Sequence, residues 1–444
     1  GRMEVLCTGA GAGLRMLHFD PMLHERSLTK VANGMGAVTQ FNYGFMTESA
    51  VHTRGSDYAW PHGDTQVPIE LVKEMISPDG IGGSTATNYN YVGAVANRTG
   101  RGFMGYRQRF TASPTANALL VEQQEMDPNY HIALPDSRQA YRFDNLELLS
   151  STVQDIYLQP LGNLQDRRFY PKQQSAVELN ALSGATTTVV NSGWDNFGNI
   201  TTSVKNTNNI EIETTSTTYV AAGPSSIPSR PQSVSVSKTR GNQPAVQRQL
   251  WTNYDATTGA VMSTSDFYGT SAQVTTSYEY YAPGNLRMKL SSYPGLAAAE
   301  RPMEKFKYEL KYRFVATHAN VLWENGVFVN AEEQFTTDAK WGTPLSILSS
   351  DGLTTLMSYD GFGRLLETQA PHIAGTTRYA IHHQYAWTIN SPNEYYSVTT
   401  VDPGGPDQIE VKDLLGRTVK TLTESFNAQT VTATAEYNAR GELI

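Results

Sequence analysis

Tyr359-Asp360-Gly361-Phe362-Gly363-Arg364-Leu365 is the stretch that decides the fold, because its pattern returns along the second half of the chain. The pattern is an aromatic residue, Asp or Asn, two further residues, Gly, a polar residue and an aliphatic residue. Residues 194–200 and 437–443 fit this pattern, and residues 280–286 depart from it only at the second position. A pattern that returns at a fixed step predicts a repeat protein.

Partial copies fill the positions between these clear copies. Tyr254-Asp255 with Gly259 carries one extra residue, and the segment from Asp413 to Arg417 keeps the Asp and the Gly. The aromatic slots then fall at residues 194, 219, 254, 280, 308, 337, 359, 385, 412 and 437, at a step of about 26 residues. The predicted structural repeat positions are Trp194, Asp195, Gly198, Tyr254, Asp255, Gly259, Tyr280, Gly284, Tyr359, Asp360, Gly363, Arg364, Gly416, Arg417, Tyr437 and Gly441.

The length of one unit predicts its structure. About 26 residues provide two strands of eight or nine residues and two turns, so each unit is expected to be one antiparallel hairpin. The Gly of the pattern is expected to have positive φ, with the preceding Asp or Asn bonding its own backbone. A single hairpin is only marginally stable in water, so neighbouring units are expected to pair into one continuous curved sheet.

The remaining chain also reads as all-β. Alternation of Thr, Val, Ser and Tyr with polar residues predicts strands over 186–191, 201–205, 233–238, 273–281, 397–401 and 430–437. Helix is expected only in short pieces, such as Leu296 to Lys305 and Asp144 to Ile156.

Composition excludes several classes of protein. The 444 residues include 34 basic and 42 acidic side chains, a net charge of −8, with no basic run that would bind nucleic acid. One cysteine excludes an internal disulfide framework. No segment has the length of apolar residues that a transmembrane helix needs. The first residues lack the layout of an export signal, and the last residues stop inside a repeat, so we expect a fragment of a longer protein.

These repeats resemble the RHS/YD repeat, which is named after the Tyr-Asp pair seen at Tyr254-Asp255 and Tyr359-Asp360. Upstream, residues 28–43, Ser77 to Gly83 and Gly100 to Tyr106 resemble the segment that precedes the repeats in toxin-complex B components. The resemblance implies three parts: a pre-repeat β region over 1–150, a connecting segment over 151–190, and about ten repeats over 191–444.

In that family the repeats wind into a hollow β-shell that holds a C-terminal toxin in a sequestered form. The resemblance therefore implies a non-enzymatic scaffold, secreted or on the bacterial cell surface, with a toxin cargo and a pore-forming or secretion-system delivery component as partners. Some members also carry an autoproteolytic aspartyl core, and no matching block is found in this sequence. Asp402-Pro403-Gly404-Gly405 is interpreted as a turn.

No catalytic, cofactor or metal site is predicted. Gly9-Ala10-Gly11-Ala12-Gly13 is similar to the start of a dinucleotide fingerprint, but its third glycine is misplaced, which favours a hairpin turn. His382 and His383 are adjacent in a predicted strand and point to opposite faces, so they do not converge on one ion.

Two other functions stay open on the sequence alone. A surface adhesin or carbohydrate-binding repeat protein would use the tyrosines to stack on sugar rings, although their place beside each turn favours packing between hairpins. A hydrolase or autoprotease would need catalytic residues, and the sequence offers none to assign.

Overall fold

The computed structural model describes residues 4–9, 12–18, 27–33, 37–162, 168–221, 229–297, 300–324, 327–370, 379–391, 394–425 and 428–444. Within these ranges the secondary structure comprises 32 strands and the turns between them, with a single 3₁₀ turn at Glu300. Fourteen strands precede the first clear repeat turn: β1 Glu4–Gly9, β2 Ala12–His18, β3 Lys30–Ala32, β4 Val38–Phe45, β5 His52–Thr53, β6 His62–Asp64, β7 Glu70–Pro78, β8 Ser84–Asn97, β9 Gly102–Ser113, β10 Ala118–Asp127, β11 Ile132–Arg142, β12 Leu148–Pro160, β13 Phe169–Asn180 and β14 Ala185–Trp194.

The other eighteen strands carry the repeats. They are β15 Ile200–Thr207, β16 Glu211–Tyr219, β17 Pro231–Arg240, β18 Val246–Tyr254, β19 Val261–Asp266, β20 Val274–Tyr280, β21 Leu286–Ser292, β22 Met303–Tyr308, β23 Val315–Glu324, β24 Val327–Thr337, β25 Pro344–Leu348, β26 Thr354–Tyr359, β27 Leu365–Gln369, β28 Ala380–Ser391, β29 Glu394–Val401, β30 Gln408–Lys412, β31 Thr418–Ser425 and β32 Ala428–Thr434.

Thirty of the strands form one sheet. From β7 to β32 each strand pairs antiparallel with the next, and β3, β4 and β7 continue the same order at its start. The short strands β5 and β6 pair with the part of β8 that β7 leaves uncovered. Among the described residues β3 pairs only with β4 and β32 only with β31, so the sheet is an open ribbon. Strands β1 and β2 form a separate hairpin.

The predicted all-β class and the continuous sheet are confirmed. Each of the six predicted strand segments falls on a strand of the sheet, and the aromatic slots from 194 to 412 fall on every second strand, whereas Tyr437 follows β32. Trp194, Tyr254, Tyr280 and Tyr359 are each the last residue of their strand, whereas Tyr385 lies inside β28. The sheet runs through residues 150 and 190 without interruption, and the three-part division of the chain stays a prediction.

The two predicted helices are wrong. Residues 148–156 belong to β12, whose exposure alternates along the strand and which pairs with β11 and β13 on its two sides. Leu146 before it has a φ of +58°, which ends any helix at the hairpin turn. Residues 303–305 belong to β22, where Lys305-Phe306-Lys307-Tyr308 alternates polar and apolar side chains at the strand period. Residues 298 and 299 lie outside the described residues.

Three sequence expectations concern residues that are only partly described. Ala10 and Gly11 of the glycine-rich segment lie outside the described residues, as do 34–36 of the upstream family segment. Gly9 pairs with Ala12 across them, which agrees with a hairpin. His382 and His383 both lie in β28 and therefore alternate in direction, as expected.

The protein exposes much more surface than a compact globular protein of the same mass. Its accessible area is 27105 Å² for 48.9 kDa. A compact monomer of this mass exposes about 17,000 Å² by the usual scaling of area with mass. Most strand residues are only half-buried, because one face of a single sheet has no second layer of backbone against it.

Successive turns alternate between the two edges of this wall. We call the edge that carries the repeat turns the repeat edge; it holds the turns at 195–199, 255–260, 281–285, 309–314, 338–343, 360–364, 413–417 and 438–442. The other edge, the opposite edge, holds among others the turns at 79–83, 114–117, 208–210 and 349–353. This alternation follows directly from a chain of consecutive antiparallel hairpins.

Bulges occur beside the repeat turns. In the hairpin of β26 and β27, Ser358 pairs with Glu367 but Tyr359 pairs with Leu365, so Leu366 is left unpaired. The same shift occurs where β14, β18, β20, β22, β24 and β30 reach the repeat edge. Between β13 and β30, the described hairpins that turn at the opposite edge keep a regular register. Bulges bend a strand and increase its twist, so a bulge in nearly every unit curls the ribbon.

Candidate functional site

Most repeat turns are closed by the acidic or amide residue that follows the aromatic slot, whereas the turn at 281–285 has Tyr281 at that position. Asp360 Oδ1 accepts hydrogen bonds from the backbone N–H groups of Phe362 and Arg364, both at 2.9 Å. Asp195, Asp413, Asn438 and Glu309 bond the same two backbone positions in their own turns. At Asp255, the backbone and hydroxyl of Thr258 donate to the carboxylate and hold its pKa below the usual value.

The glycine of the pattern has the left-handed conformation that the sequence predicts. Gly363 has a φ of +82°, and Gly198, Gly259, Gly284, Gly416 and Gly441 have φ values between +69° and +97°. In the unit at 308–314, where Tyr312 replaces the glycine, that tyrosine has a φ of +56°. The backbone of the turn therefore keeps its shape even where the residue is unfavourable.

The repeat tyrosines bind neighbouring hairpins together. Tyr385 Oη donates to the carbonyl oxygen of Leu365 at 2.7 Å, across the preceding hairpin. Tyr219, Tyr254, Tyr280 and Tyr437 reach back in the same way, to backbone carbonyls 19 to 23 residues earlier. Tyr359 differs, because its hydroxyl meets Met357 Sδ at 3.5 Å. Burial raises the pKa of Tyr280, Tyr359 and Tyr385, in agreement with a packing role.

The arginine of the pattern stacks on the next unit. Arg364 lies 4.6 Å from the ring centre of Tyr385, and Arg417 lies 4.2 Å from that of Tyr437. Each guanidinium also pairs with the acidic residue of its own turn, Asp360 or Asp413, at 2.6 Å. A cation held over an aromatic face stabilises the contact between units.

The predicted repeat positions therefore do not converge on one pocket. They lie in successive turns along the repeat edge, each set serving its own hairpin and the next one. Among the described residues, no group of three or more His, Cys, Asp or Glu side chains is placed to hold a metal ion. The distinctive site arises where one repeat turn meets the start of the sheet.

Arg417 makes this contact, which we call the seam. Its Nη2 donates to the carbonyl oxygen of Asp79 at 2.9 Å, although 338 residues separate the two along the chain. The partner Asp413 is fully buried, and Arg417 is 19% exposed. Two further bonds cross the seam: Arg440 Nε donates to the Thr115 carbonyl oxygen at 2.9 Å, and Asn33 Nδ2 to that of Leu414 at 3.4 Å.

The two turns that meet at the seam have the same construction. Asp79 Oδ1 accepts from the N–H groups of Ile81 and Gly83 at 2.9 Å, as Asp413 does for residues two and four positions later. Gly80 lies directly beneath the repeat turn. A Cβ there would lie 2.8 Å from Asp413 Oδ2 and 3.0 Å from Leu415 Cδ1, so the close approach requires glycine.

The seam was not predicted from the sequence. Residues 77–83 resemble the upstream family segment, and the Asp-x-x-Gly spacing from Asp79 to Gly82 is the sign in the sequence of a second turn of the same kind. Nothing in the sequence states which two turns meet, because that depends on the curvature of all the strands between them.

The seam brings the sheet back to its own beginning. The turn between β7 and β8 meets the turn between β30 and β31, and the turn between β9 and β10 meets the one after β32. Both contacts span 23 strands, β8 to β30 and β10 to β32. In each case a repeat-edge turn rests on an opposite-edge turn, which is the geometry of a spiral ribbon that begins a second winding.

Comparison with solved structures identifies this fold. A crystal structure of TcdB2-TccC3 matches with a TM-score of 0.65 at 11% identity, over 94% of this chain and 31% of that one. A crystal structure of TcdB2-TccC3 without its hypervariable C-terminal region gives 0.68 at 10% identity, over 100% and 36%. The Photorhabdus luminescens Tc holotoxin pore gives 0.65 at 9% identity, over 99% and 34%.

This chain spans about a third of the length of these structures. No protein-family model and no curated protein matches it. The resemblance to RHS/YD toxin-complex components that the sequence predicts is confirmed at the level of the fold. No described helix is long and apolar enough to cross a membrane.

Proposed function

We propose that this chain is a section of the wall of a toxin-complex shell, a non-enzymatic scaffold that encloses a toxin segment. The observation that carries the proposal is the seam, where Arg417 and Asp413 rest on the turn at 79–83 after 23 strands. A ribbon that returns to its own edge surrounds a space. The large exposed area and the structural similarity to TcdB2-TccC3 support the same proposal.

The size of that space follows from strand spacing. Twenty-three strands at about 4.8 Å each give a circuit of about 110 Å, or a diameter of about 35 Å between backbones. Inward side chains take about 5 Å on each side, half the usual distance between packed sheets. A lumen of about 25 Å remains, and the cargo would occupy it.

Electron microscopy of the purified chain tests the proposal. The expected particle is a spiral ring around a lumen of about 25 Å, with the two ends of the ribbon overlapping. A solid particle, or a flat or extended ribbon whose ends do not meet, would contradict the proposal.

Enclosure of a cargo requires its own test. When the longer polypeptide that contains this chain is produced with a toxin segment, the segment should resist added protease. Opening the seam with Arg417→Ala should make it sensitive, whereas the matched change Arg364→Ala, outside the seam, should not. A segment equally sensitive in all three proteins would argue against enclosure.

Partners and location follow from the same proposal. A secreted shell would require a delivery component, such as a pore-forming or secretion-system protein, to release the cargo. The adhesin alternative would need free tyrosine faces, but most of the repeat tyrosines bond and pack against adjacent hairpins.

A further inference from the structure

The tyrosine hydroxyls that reach back to the preceding hairpin define one common position in five units. Each hydroxyl donates to the carbonyl oxygen of one residue, and we call the residue immediately before that one the cover residue. The cover residues are Asn199 for Tyr219, Arg230 for Tyr254, Ala260 for Tyr280, Arg364 for Tyr385 and Arg417 for Tyr437. The cover position is therefore equivalent in all five units.

Three of the cover residues are arginines that lie over their tyrosines. The guanidinium groups of Arg230, Arg364 and Arg417 lie 5.6 Å, 4.6 Å and 4.2 Å from the ring centres. Arg364 and Arg417 also donate their Nε–H to Oδ2 of the aspartate that begins their own turn. In these two units one cation thus fills the space between a turn carboxylate and the tyrosine of the next unit.

Tyr280 is different, because its cover residue is Ala260, whose side chain ends at Cβ. A pocket of about 420 Å³ opens at this place, between the turns at 255–260 and 281–285. Ligand sites typically have volumes of about 300–1,000 Å³. Three tyrosines and two acidic residues contribute to its lining: Tyr278, Tyr280, Tyr281, Asp255 and Glu279.

The glycine of the next turn also shows that the place of the cation is open. In two units the arginine lies against this glycine: a Cβ on Gly259 would clash with Arg230, and a Cβ on Gly441 would lie 3.3 Å from Arg417 Nη1. In the unit with the pocket, a Cβ on Gly284 would meet nothing within 4 Å. The space that a guanidinium takes in the other units is therefore vacant in this one.

Asp255 supplies the negative charge that a cation in the pocket would meet. Its Oδ1 accepts from the N–H groups of Thr257 and Thr258 and from the Thr258 hydroxyl. These bonds, those of Thr258 foremost, hold the pKa of Asp255 below its usual value, so the carboxylate is ionised at neutral pH. Its Oδ2 has no counterpart of the bond that Arg364 donates to Asp360, because an alanine stands at the cover position.

Two arginines near the pocket leave it unfilled. Arg230 lies against the same turn at Gly259, and Arg287 lies 3.7 Å from Glu279 and 6.0 Å from the ring centre of Tyr281. Neither arginine is among the residues that line the pocket. The pocket therefore combines negative charge and an aromatic surface, with no cation among its lining residues.

We propose that this pocket binds an arginine side chain of another polypeptide, which takes the place that Arg364 and Arg417 occupy in their own units. The bound guanidinium would accept the position between Asp255 Oδ2 and the ring of Tyr280. Guanidinium suits both partners, because its forked N–H groups match a carboxylate and its flat face stacks on an aromatic ring. This site does not depend on the proposed shell function.

Ligand-observed NMR of the full chain with the peptide acetyl-Gly-Arg-Gly-amide tests the proposal. Saturation transfer at neutral pH should reach the arginine side chain, and a titration should give its dissociation constant. The counterpart peptide with citrulline has the same shape without the charge, and it should bind at least about fivefold more weakly. Equal binding of the two peptides would overturn the proposal.

Ala260→Arg closes the pocket from within. The new side chain should pair with Asp255, cover Tyr280 and weaken peptide binding at least about tenfold, because it competes at an effective concentration that no free peptide reaches. The matched control is Ala339→Arg, which adds the same charge at an exposed position of the equally long turn at 338–343. The control should bind like wild type. Equal binding by wild type and Ala260→Arg, or an equal loss in the control, would refute the site.

Asp255→Asn provides a second, milder variant. An asparagine closes the turn at 438–442, so this change keeps an acceptor for the turn and removes only the charge. It should weaken binding of the arginine peptide several-fold and leave the citrulline peptide unaffected. If Ala260→Arg fails to fold, as loss of amide protection from β18 to β21 would show, Asp255→Asn decides, and an unchanged affinity for the arginine peptide would refute the proposal.

Discussion

Removal of Arg417 should open the seam far more than removal of its counterpart Arg364 opens an ordinary turn. In wild type, the Asp413 carboxylate has no exposed surface and accepts the Nε–H of Arg417 at 2.6 Å. Arg417→Ala leaves that charge buried and without its partner, a change that typically costs about 3–5 kcal/mol. It also removes the bond to the Asp79 carbonyl and the contact with the ring of Tyr437.

Arg364 provides the matched control. It occupies the same position of the pattern, pairs with Asp360 at the same distance and stacks on Tyr385, but it is 42% exposed and no seam lies against it. Exposed ion pairs contribute little to stability because water screens them. Arg364→Ala should therefore have a small effect that stays within its own hairpin.

Native-state hydrogen exchange at the turns 79–83 and 413–417 measures the difference. A cost of about 3–5 kcal/mol corresponds to about a hundredfold to a few thousandfold more frequent opening of both turns. Adding Asp413→Asn to Arg417→Ala removes the stranded charge while keeping an acceptor for the turn, so it should restore much of the protection. Equal effects of the two arginine changes, or protection at 79–83 that stays within a few-fold of wild type, would refute the seam as described.

Three further measurements test separate features. Gly363→Val places a branched side chain at a φ of +82° and should destabilise its turn by about 1–3 kcal/mol. The control Gly361→Val, at ordinary φ and with nothing within 4 Å of its Cβ, should cost clearly less. Equal losses of amide protection in the two variants would contradict the role of positive φ at Gly363. Tyr385→Phe removes the bond to the Leu365 carbonyl and should cost about 1 kcal/mol, measured as faster exchange between β27 and β28, and no change would mean that the hydroxyl is not used. Burial, with a smaller effect of a nearby tyrosine, raises the pKa of Tyr106 to about 12. The contribution of Tyr106 to stability should therefore be complete below about pH 10 and lost as pH rises through about 12. Ultraviolet titration should show one late-ionising tyrosine fewer in Tyr106→Phe than in wild type, and identical titration curves would refute this.

Much of the fold could be predicted because the repeat chemistry is local. An Asp able to bond the backbone two and four residues later, followed by a glycine at positive φ, specifies a turn wherever it occurs, and the alternating strands on either side specify a hairpin. The error at residues 144–156 had a local cause as well. The apolar residues of β12 are close enough to helical spacing to mislead when the pairing with β11 and β13 is unknown.

The seam and the bulges could not be predicted in the same way. Leu366 is unpaired because β27 has one residue more than β26 between two successive pairs of the hairpin. This extra residue can be recognised only when the register of the two strands is known. The meeting of Arg417 with Asp79 depends on the summed curvature of 23 strands, and no window of sequence contains that information. The contact between His62 Nε2 and His131 Nδ1, at 2.7 Å, joins residues 69 positions apart and could not be predicted for the same reason.

One circuit of the ribbon contains an odd number of strands, and this limits which insertions and deletions of strands the fold can accept. Hairpins close at alternate edges of the sheet. A circuit with an odd number of strands therefore places a repeat-edge turn against an opposite-edge turn. A circuit with an even number of strands would place a turn against the gap between two hairpins. A viable insertion or deletion must therefore comprise whole two-strand units. Loss of one unit from the repeats would advance every later contact by one step and bring the turn at 438–442 onto the turn at 79–83. Glu442 would then stand where Arg417 now stands and Asn438 where Asp413 now stands, so the seam would lose its ion pair.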